Sequence, residues 1–217
     1  MPAPHTLRTP ALLLATLAIA CGQPETDELG LNDGPTYRAF EDAAATEGVP
    51  LDLLLAIGWV ESRWTHVVAE PHDEPAGADA LAPDGLPMGG HGHGAHGLFQ
   101  LRDGDTLDLA AQLTETDVAV LKADAAANIK GAAAVLRRYA DESYEGLDVE
   151  NLDLASWRDV VARWTGIEDP SLAFEAAEEV FAVLRTGAGR TLPDGEVIEL
   201  FAQPALEVDG DVTGETG

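Results

Sequence analysis

The stretch PLDLLLAIGWVESRW, Pro50 to Trp64, decides how the rest of the chain is read. Its pattern predicts one helix, apolar nearly all round, with an acid, Glu61, in the last turn. Pro50 suits the first helical position, where a missing N–H costs nothing and φ is already helical. Leu53, Ile57, Val60 and Trp64 follow the three/four spacing of a buried stripe, and Leu54 and Ile57 adjoin Glu61 on its flank. Burial disfavours a charged carboxylate, and the negative end of the helix dipole acts the same way. Both raise the pKa of Glu61 towards the range a general acid needs near neutral pH. The alternative is a glutamate at the edge of a core helix, reaching water or pairing with Arg63.

Outward from this helix, the 217 residues suggest one domain with flexible ends, and 46% hydrophobic residues suffice for a real core. Aromatics are few and alanine is abundant, which favours close-packed helices over sheets. A formal charge of −27 leaves no basic surface to replace phosphate counterions, so nucleic acid is not an expected partner. It also argues against electrostatic attachment to anionic lipid, and it favours a self-repelling monomer.

Cys21 is the only cysteine, so neither an intrachain disulfide nor a cysteine-based zinc site can form. Before it runs ALLLATLAIA, Ala11 to Ala20, preceded by His5 and Arg8. A short positive region followed by an apolar run too short to span a bilayer reads as a secretory signal peptide over residues 1–21. Leu17-Ala18-Ile19-Ala20-Cys21-Gly22 resembles the lipobox of bacterial lipoproteins, with Ala18 where leucine is usual. That resemblance implies lipidation of Cys21 and attachment to a membrane by lipid anchor only. Gly22 after the cysteine suits the periplasmic face of the outer membrane in a Gram-negative envelope. A plain signal peptide cut nearby, leaving a stray thiol on a secreted protein, is the other reading.

Residues 22–35 are polar and turn-rich, as expected of a flexible tether. Tyr37 to Glu47 reads as a short Ala-rich helix ended by Gly48. Val68 to Gly97 shows no periodicity and reads as a long loop, functional or mobile. Beyond the apolar run Gly97 to Leu101, a brief helix is predicted over Thr106–Leu113. A long one follows over Asp117–Ala140, with Val118, Leu121, Ala125, Ile129, Ala132 and Leu136 on one face. Asn151–Trp164 and Pro170 to Gly187 complete the helical set. Residues 188–217 read as an acidic, mostly disordered tail, although Val197 to Phe201 is apolar enough to dock. The fold class expected is all-α: one small domain over residues 36–187, with about five to seven helices.

Three segments in order resemble the lytic transglycosylase family, lysozyme-like domains that cleave peptidoglycan glycan strands. VPLDLLLAIGWVESRW (Val49–Trp64) resembles the family's VP-x-x-L-L-x-A-I-x-x-x-E-S-x-[FW], with Glu61 at the catalytic acid and Ser62 after it. Gly94-Ala95-His96-Gly97-Leu98-Phe99-Gln100-Leu101 is similar to G-A-x-G-L-[MF]-Q-[LIV]. Asn128-Ile129 with Leu136 is similar to N-I-x-x-G-x-x-Y-L, although Ala132 and Val135 stand where glycine and tyrosine are usual. A fourth family feature, a Y-N-x-G turn whose tyrosine lies near the acid, has as its nearest counterpart Trp164-Thr165-Gly166, one residue shorter.

The resemblance implies a small lysozyme-like fold and a reaction run by one carboxyl group. Glu61 donates a proton to the departing glycosidic oxygen, then accepts one from the sugar's own C6 hydroxyl. The product is a 1,6-anhydro-N-acetylmuramic acid end, with no cofactor. Implied substrate-binding residues are Ser62, Gly97, Gln100, Asn128 and Trp164. Gly97 would let backbone approach a sugar ring, and Gln100 would bond an N-acetyl group or orient Glu61. For Asn128 the favoured reading is a structural hydrogen-bonding residue, and for Trp164 core rather than cleft. The partner implied is the peptidoglycan glycan strand. A non-catalytic peptidoglycan-binding module, a lysozyme-type hydrolase and an amidase-associated domain remain alternatives.

His91, His93 and His96 lie in a Gly-rich loop that supplies no fixed second shell, so no metal site is expected. There is no H-E-x-x-H zinc sequence, G-x-S-x-G elbow or phosphate-binding glycine loop.

Overall fold

The apolar stretch after Pro50 forms helix α2 (Leu51–Ser62) in the computed structural model, which describes residues 30–68 and 94–207. Leu53, Leu54, Leu55, Ala56, Ile57 and Gly58 are buried in succession, so the helix is enclosed on every side rather than along one stripe. Burying one such leucine contributes roughly 1.5–3 kcal/mol. Pro50 stands just before the first helical residue, one position earlier than its pattern suggests.

Helix α1 (Pro35–Glu47) packs on α2 and on α5 (Ala125–Ser143), while α7 (Pro170–Thr186) covers another side of α2. Helix α6 (Arg158–Trp164) lies against both α5 and α7, and the short helices α3 (Thr106–Thr114) and α4 (Val118–Ala123) pack on α5. The described part of the chain is therefore a small, mostly helical domain. Gly48 ends α1 in the left-handed conformation (φ 65°), its N–H returning to the Ala44 carbonyl.

Three expectations are corrected. The predicted helix Asp117–Ala140 is two helices: Asp124 is extended (φ −112°, ψ 123°), and its carboxylate accepts the Ala127 N–H to start α5. The predicted helix Asn151–Trp164 becomes regular only at Arg158, after 3-10 turns at Val149–Asn151 and Ala155–Trp157.

The third correction concerns the ends of the domain. Within the expected disordered tail, strands β3 (Ala188–Thr191) and β4 (Val197–Leu200) form an antiparallel hairpin, after the short pair β1 (Ala95–His96) and β2 (Leu101–Arg102) earlier in the chain. Ile198 and Leu200 enter the core, which is what holds the hairpin down. Its turn carries Glu196, fully buried, whose carboxylate accepts the N–H groups of Thr36 (3.0 Å) and Tyr37 (2.7 Å) and so caps α1. Part of the expected tether docks on the same hairpin. Leu31 bridges to Val197, and Asn32 exchanges side-chain bonds with the Glu199 backbone at 3.0 and 2.8 Å. Residues 1–29 and 208–217, with Cys21, lie outside the described residues.

Candidate functional site

Glu61 stands where α2 ends. Arg63 and Trp64 are both left-handed (φ 54° and 58°), and their N–H groups close on the carbonyls of Trp59 and Gly58. Two successive non-glycine residues in that region cost on the order of 1–3 kcal/mol each, so packing must hold them. Trp64 is buried with its indole N–H on the Leu55 carbonyl (2.8 Å). The Arg63 guanidinium lies over the Trp59 ring and donates to the Trp59 carbonyl (2.6 Å). Arg63 thus turns to Trp59 rather than to Glu61.

Strands β1 (Ala95–His96) and β2 (Leu101–Arg102) pair around the turn Gly97–Gln100. Asn128 of α5, fully buried, holds that turn: its Oδ1 accepts the Phe99 N–H (2.8 Å), and its Nδ2 donates to the carbonyls of His96 (3.1 Å) and Leu121 (3.0 Å). Gly97 has φ 74°, and a Cβ there would sit 2.2 Å from Asn128 Nδ2. Its lack of a side chain makes room for the asparagine. Gln100, also left-handed (φ 48°) and buried, donates its amide back to the Gly97 carbonyl (2.6 Å). Leu98 and Phe99 are in the core.

The Glu61 side chain reaches Trp164 at the end of α6, whose indole Nε1 donates to Glu61 Oε1 at 3.0 Å. The Phe99 ring meets the Trp164 indole edge-on at 6.0 Å, tying the turn, α6 and α2 together. Burial raises the Glu61 pKa from 4.5 to about 7; the Trp164 hydrogen bond and the positive charge of Arg102 pull the other way. The residue keeps partial exposure, so its proton can reach solvent or a ligand. Arg102, on β2, bonds Asp105 Oδ2 through Nε (2.9 Å) and Nη2 (2.8 Å), and Nη2 also donates to the Trp164 carbonyl (2.9 Å).

The structure therefore gathers the expected residues unequally. Glu61 and Trp164 touch. Gly97, Gln100 and Asn128 form one hydrogen-bonded turn, joined to the pair through Phe99. Ser62, expected to contact a ligand, is buried with its hydroxyl on the Gly58 carbonyl (3.3 Å). Asn128 spends its amide on the protein's own backbone, so it builds the turn instead of lining a binding surface. Gln100 bonds Gly97 rather than Glu61, and Trp164, only 1% exposed, offers no open ring face for stacking. Of the loop histidines, His91 and His93 lie outside the described residues. His96 pairs with Asp103 Oδ2 (2.9 Å), whose other oxygen takes Lys122 (2.8 Å). Two hollows among the described residues are not lined by Glu61. One, of about 470 Å3, lies between α1 and α5; one of about 240 Å3 lies beside Trp64, His66 and Leu192.

The chain matches no family model, no curated protein and no solved structure.

Arg102 was not marked by its surroundings in the sequence. It stands one position past the Gly94–Leu101 run, and only the β1–β2 pairing together with the end of α6 brings it to Trp164. Tyr139 of α5 was missed for the same reason. Its ring carries the Arg163 guanidinium 4.0 Å from its centre, and its pKa is raised by burial and by the charge of Asp105.

Proposed function

We propose that this chain is a peptidoglycan-cleaving lytic transglycosylase of lysozyme-like fold, attached to the cell envelope through lipidated Cys21, with Glu61 as its only acid and base. The observation that carries the reading is the carboxyl of Glu61. It sits at the end of a core helix, partly exposed, with a pKa near 7. At neutral pH such a group is populated in both forms, which a residue that first gives and then takes a proton requires. Among the described residues, the resolved charge acting on it is a cation, Arg102, not a second carboxylate. That favours one-carboxyl chemistry over the paired carboxyls of most glycosidases, which lie about 5–9.5 Å apart.

In the proposed reaction the Glu61 proton passes to the glycosidic oxygen as the C1–O bond breaks. The C6 hydroxyl oxygen then bonds to C1 and gives its proton to the Glu61 carboxylate. No water enters the product, and the acid returns to its starting form.

Trp164 favours a second reading, a module that binds glycan strands without turnover. An indole N–H can donate to Glu61 but has no phenolic oxygen to accept a proton. Digestion of purified sacculi, followed by mass spectrometry of the soluble products, separates the two. Anhydro-muropeptides from the wild type, lost in Glu61→Gln, are the expected result. Reducing ends carrying added water would make the protein a hydrolase, and binding without products would make it a binding module.

A further inference from the structure

We propose that Arg102 is the positioning residue of this site: its guanidinium, clamped between the Asp105 carboxylate and the Trp164 carbonyl, holds the Trp164 indole N–H on Glu61. The catalytic consequence rests on the function proposed above; the clamp itself does not.

The geometry is that of a built joint. Helix α6 ends at Trp164, where terminal carbonyls have no partner within the helix. A guanidinium there answers both the open carbonyl and the negative end of the dipole. Arg102 is aimed by the shared Asp105 oxygen, and its own backbone N–H is bonded to Thr106 Oγ1 (2.8 Å). The chain after Trp164 makes room for it. Gly166 turns at φ 69°, and a Cβ on it would come within 3.0 Å of Nη2. The carbonyl of Trp164 is held on one side and its ring packs on Phe99 on the other, with the indole N–H directed at Glu61.

Among the described residues the charged surroundings are few. Glu61 faces Trp164 from α6 and Arg102 from β2. Around Arg102 stand Asp105 and, on α5, Tyr139, whose ring is covered by Arg163, itself bonded to Glu142 (2.6 Å). Both the cation and the indole N–H favour the ionised acid, against the burial that favours the neutral one. Removing Arg102 takes away the charge and frees the indole together.

The test is a titration of the full-length protein labelled with 13C at glutamate side-chain carboxyls and 15N at tryptophan indoles. Wild type, Arg102→Gln and Arg102→Lys are compared, with Glu61→Gln and Trp164→Phe assigning the signals. In Arg102→Gln the Glu61 midpoint is expected to rise by roughly one unit or more, with the Trp164 indole resonance displaced. Arg102→Lys, which keeps the charge but not the fork, should return most of the midpoint while leaving the indole displaced. An arginine that only braces the fold would lower stability without moving either signal, and that result overturns the proposal. Should Arg102→Gln fail to fold, an unmoved indole in Arg102→Lys overturns it alone. In sacculus digests the pH limb of product formation should follow the Glu61 midpoint. If the wild type makes no products while the signals move as expected, the function above fails and the clamp stands.

Discussion

Among the described residues, two glutamates of the packed part, Glu196 and Glu61, sit at opposite kinds of helix end. Glu196 lies at the N-terminal end of α1, fully buried, with two backbone N–H groups pointing into it. Glu61 lies at the C-terminal end of α2 with one indole N–H. At the first position the helix dipole and the open N–H groups welcome a negative charge. At the second the dipole opposes it, and one donor does not replace the water lost. What separates the two is how many donors meet the group and which end of a helix it faces.

The largest expected effect is on Glu61. Replacing it with glutamine should lower product formation by about 10²–10⁴-fold, the usual contribution of a positioned acid/base. The same substitution should act on stability in the other direction. Between pH 4.5 and about 7 the folded protein holds a proton on Glu61 that the unfolded chain has lost, so stability falls as pH rises through that window. A shift of this size corresponds to about 3 kcal/mol. Glu61→Gln should thus be more stable than wild type by about that amount at pH 8, and equal to it at pH 4. Urea unfolding at the two pH values measures this. Equal stabilities at pH 8 would mean that Glu61 is solvated like any surface acid.

Glu196→Ala should do the reverse. It leaves two N–H groups at the start of α1 without their acceptor and empties a fully buried position, a cost of about 2–4 kcal/mol. The Glu61 midpoint should not move. Gly34→Ala probes the same joint from the other side, since an added Cβ would lie 2.2 Å from the Glu196 carboxyl carbon. It should lower the melting temperature in the same direction by a smaller amount, because Glu196 can give way in part. If either variant melts like wild type, Glu196 is not the cap and the contrast with Glu61 fails.

What could be read from the sequence divides along the same line. Helix α2, the acid in its last turn and the apolar run Gly97–Leu101 are local patterns, visible in a window of a dozen residues. The break at Asp124 was hidden because the apolar spacing of Val118, Leu121, Ala125 and Ile129 runs on unchanged across it. One aspartate side chain, taking the Ala127 N–H, stops one helix and starts the next. The hairpin strands are four residues each, too short for alternation to stand out beside so many acids, although Pro193-Asp194-Gly195 is a turn signal. Glu196 meets its donors across 160 and 159 positions, and Glu61 meets Trp164 across 103. No periodicity reports a contact of that span. Asn128 was visible as a structural hydrogen-bonding residue, but its three backbone partners emerge only in the folded turn.

Trp164→Phe sharpens the comparison by taking from Glu61 its one side-chain donor among the described residues. The ring still packs on Phe99, so most of the buried area survives; the N–H does not. A hydrogen bond to a charged group is worth about 1.5–3 kcal/mol, and losing it acts on the ionised form alone. The Glu61 midpoint should therefore rise above its value near 7 by about one unit or more. The sign on stability follows: the pH range over which the folded state loses ground extends upward, so the variant weakens relative to wild type at pH 9 more than at pH 5. For catalysis, the acid form should persist to higher pH, while the weaker acid makes proton donation the harder half near neutrality and its more basic carboxylate takes the sugar hydroxyl's proton more readily. Products measured across pH 5–9 would show the alkaline limb displaced upward with a lower yield at pH 6. A limb that stays in place would mean that the indole packs beside the acid without governing it, and that burial and the Arg102 charge set the Glu61 pKa between them.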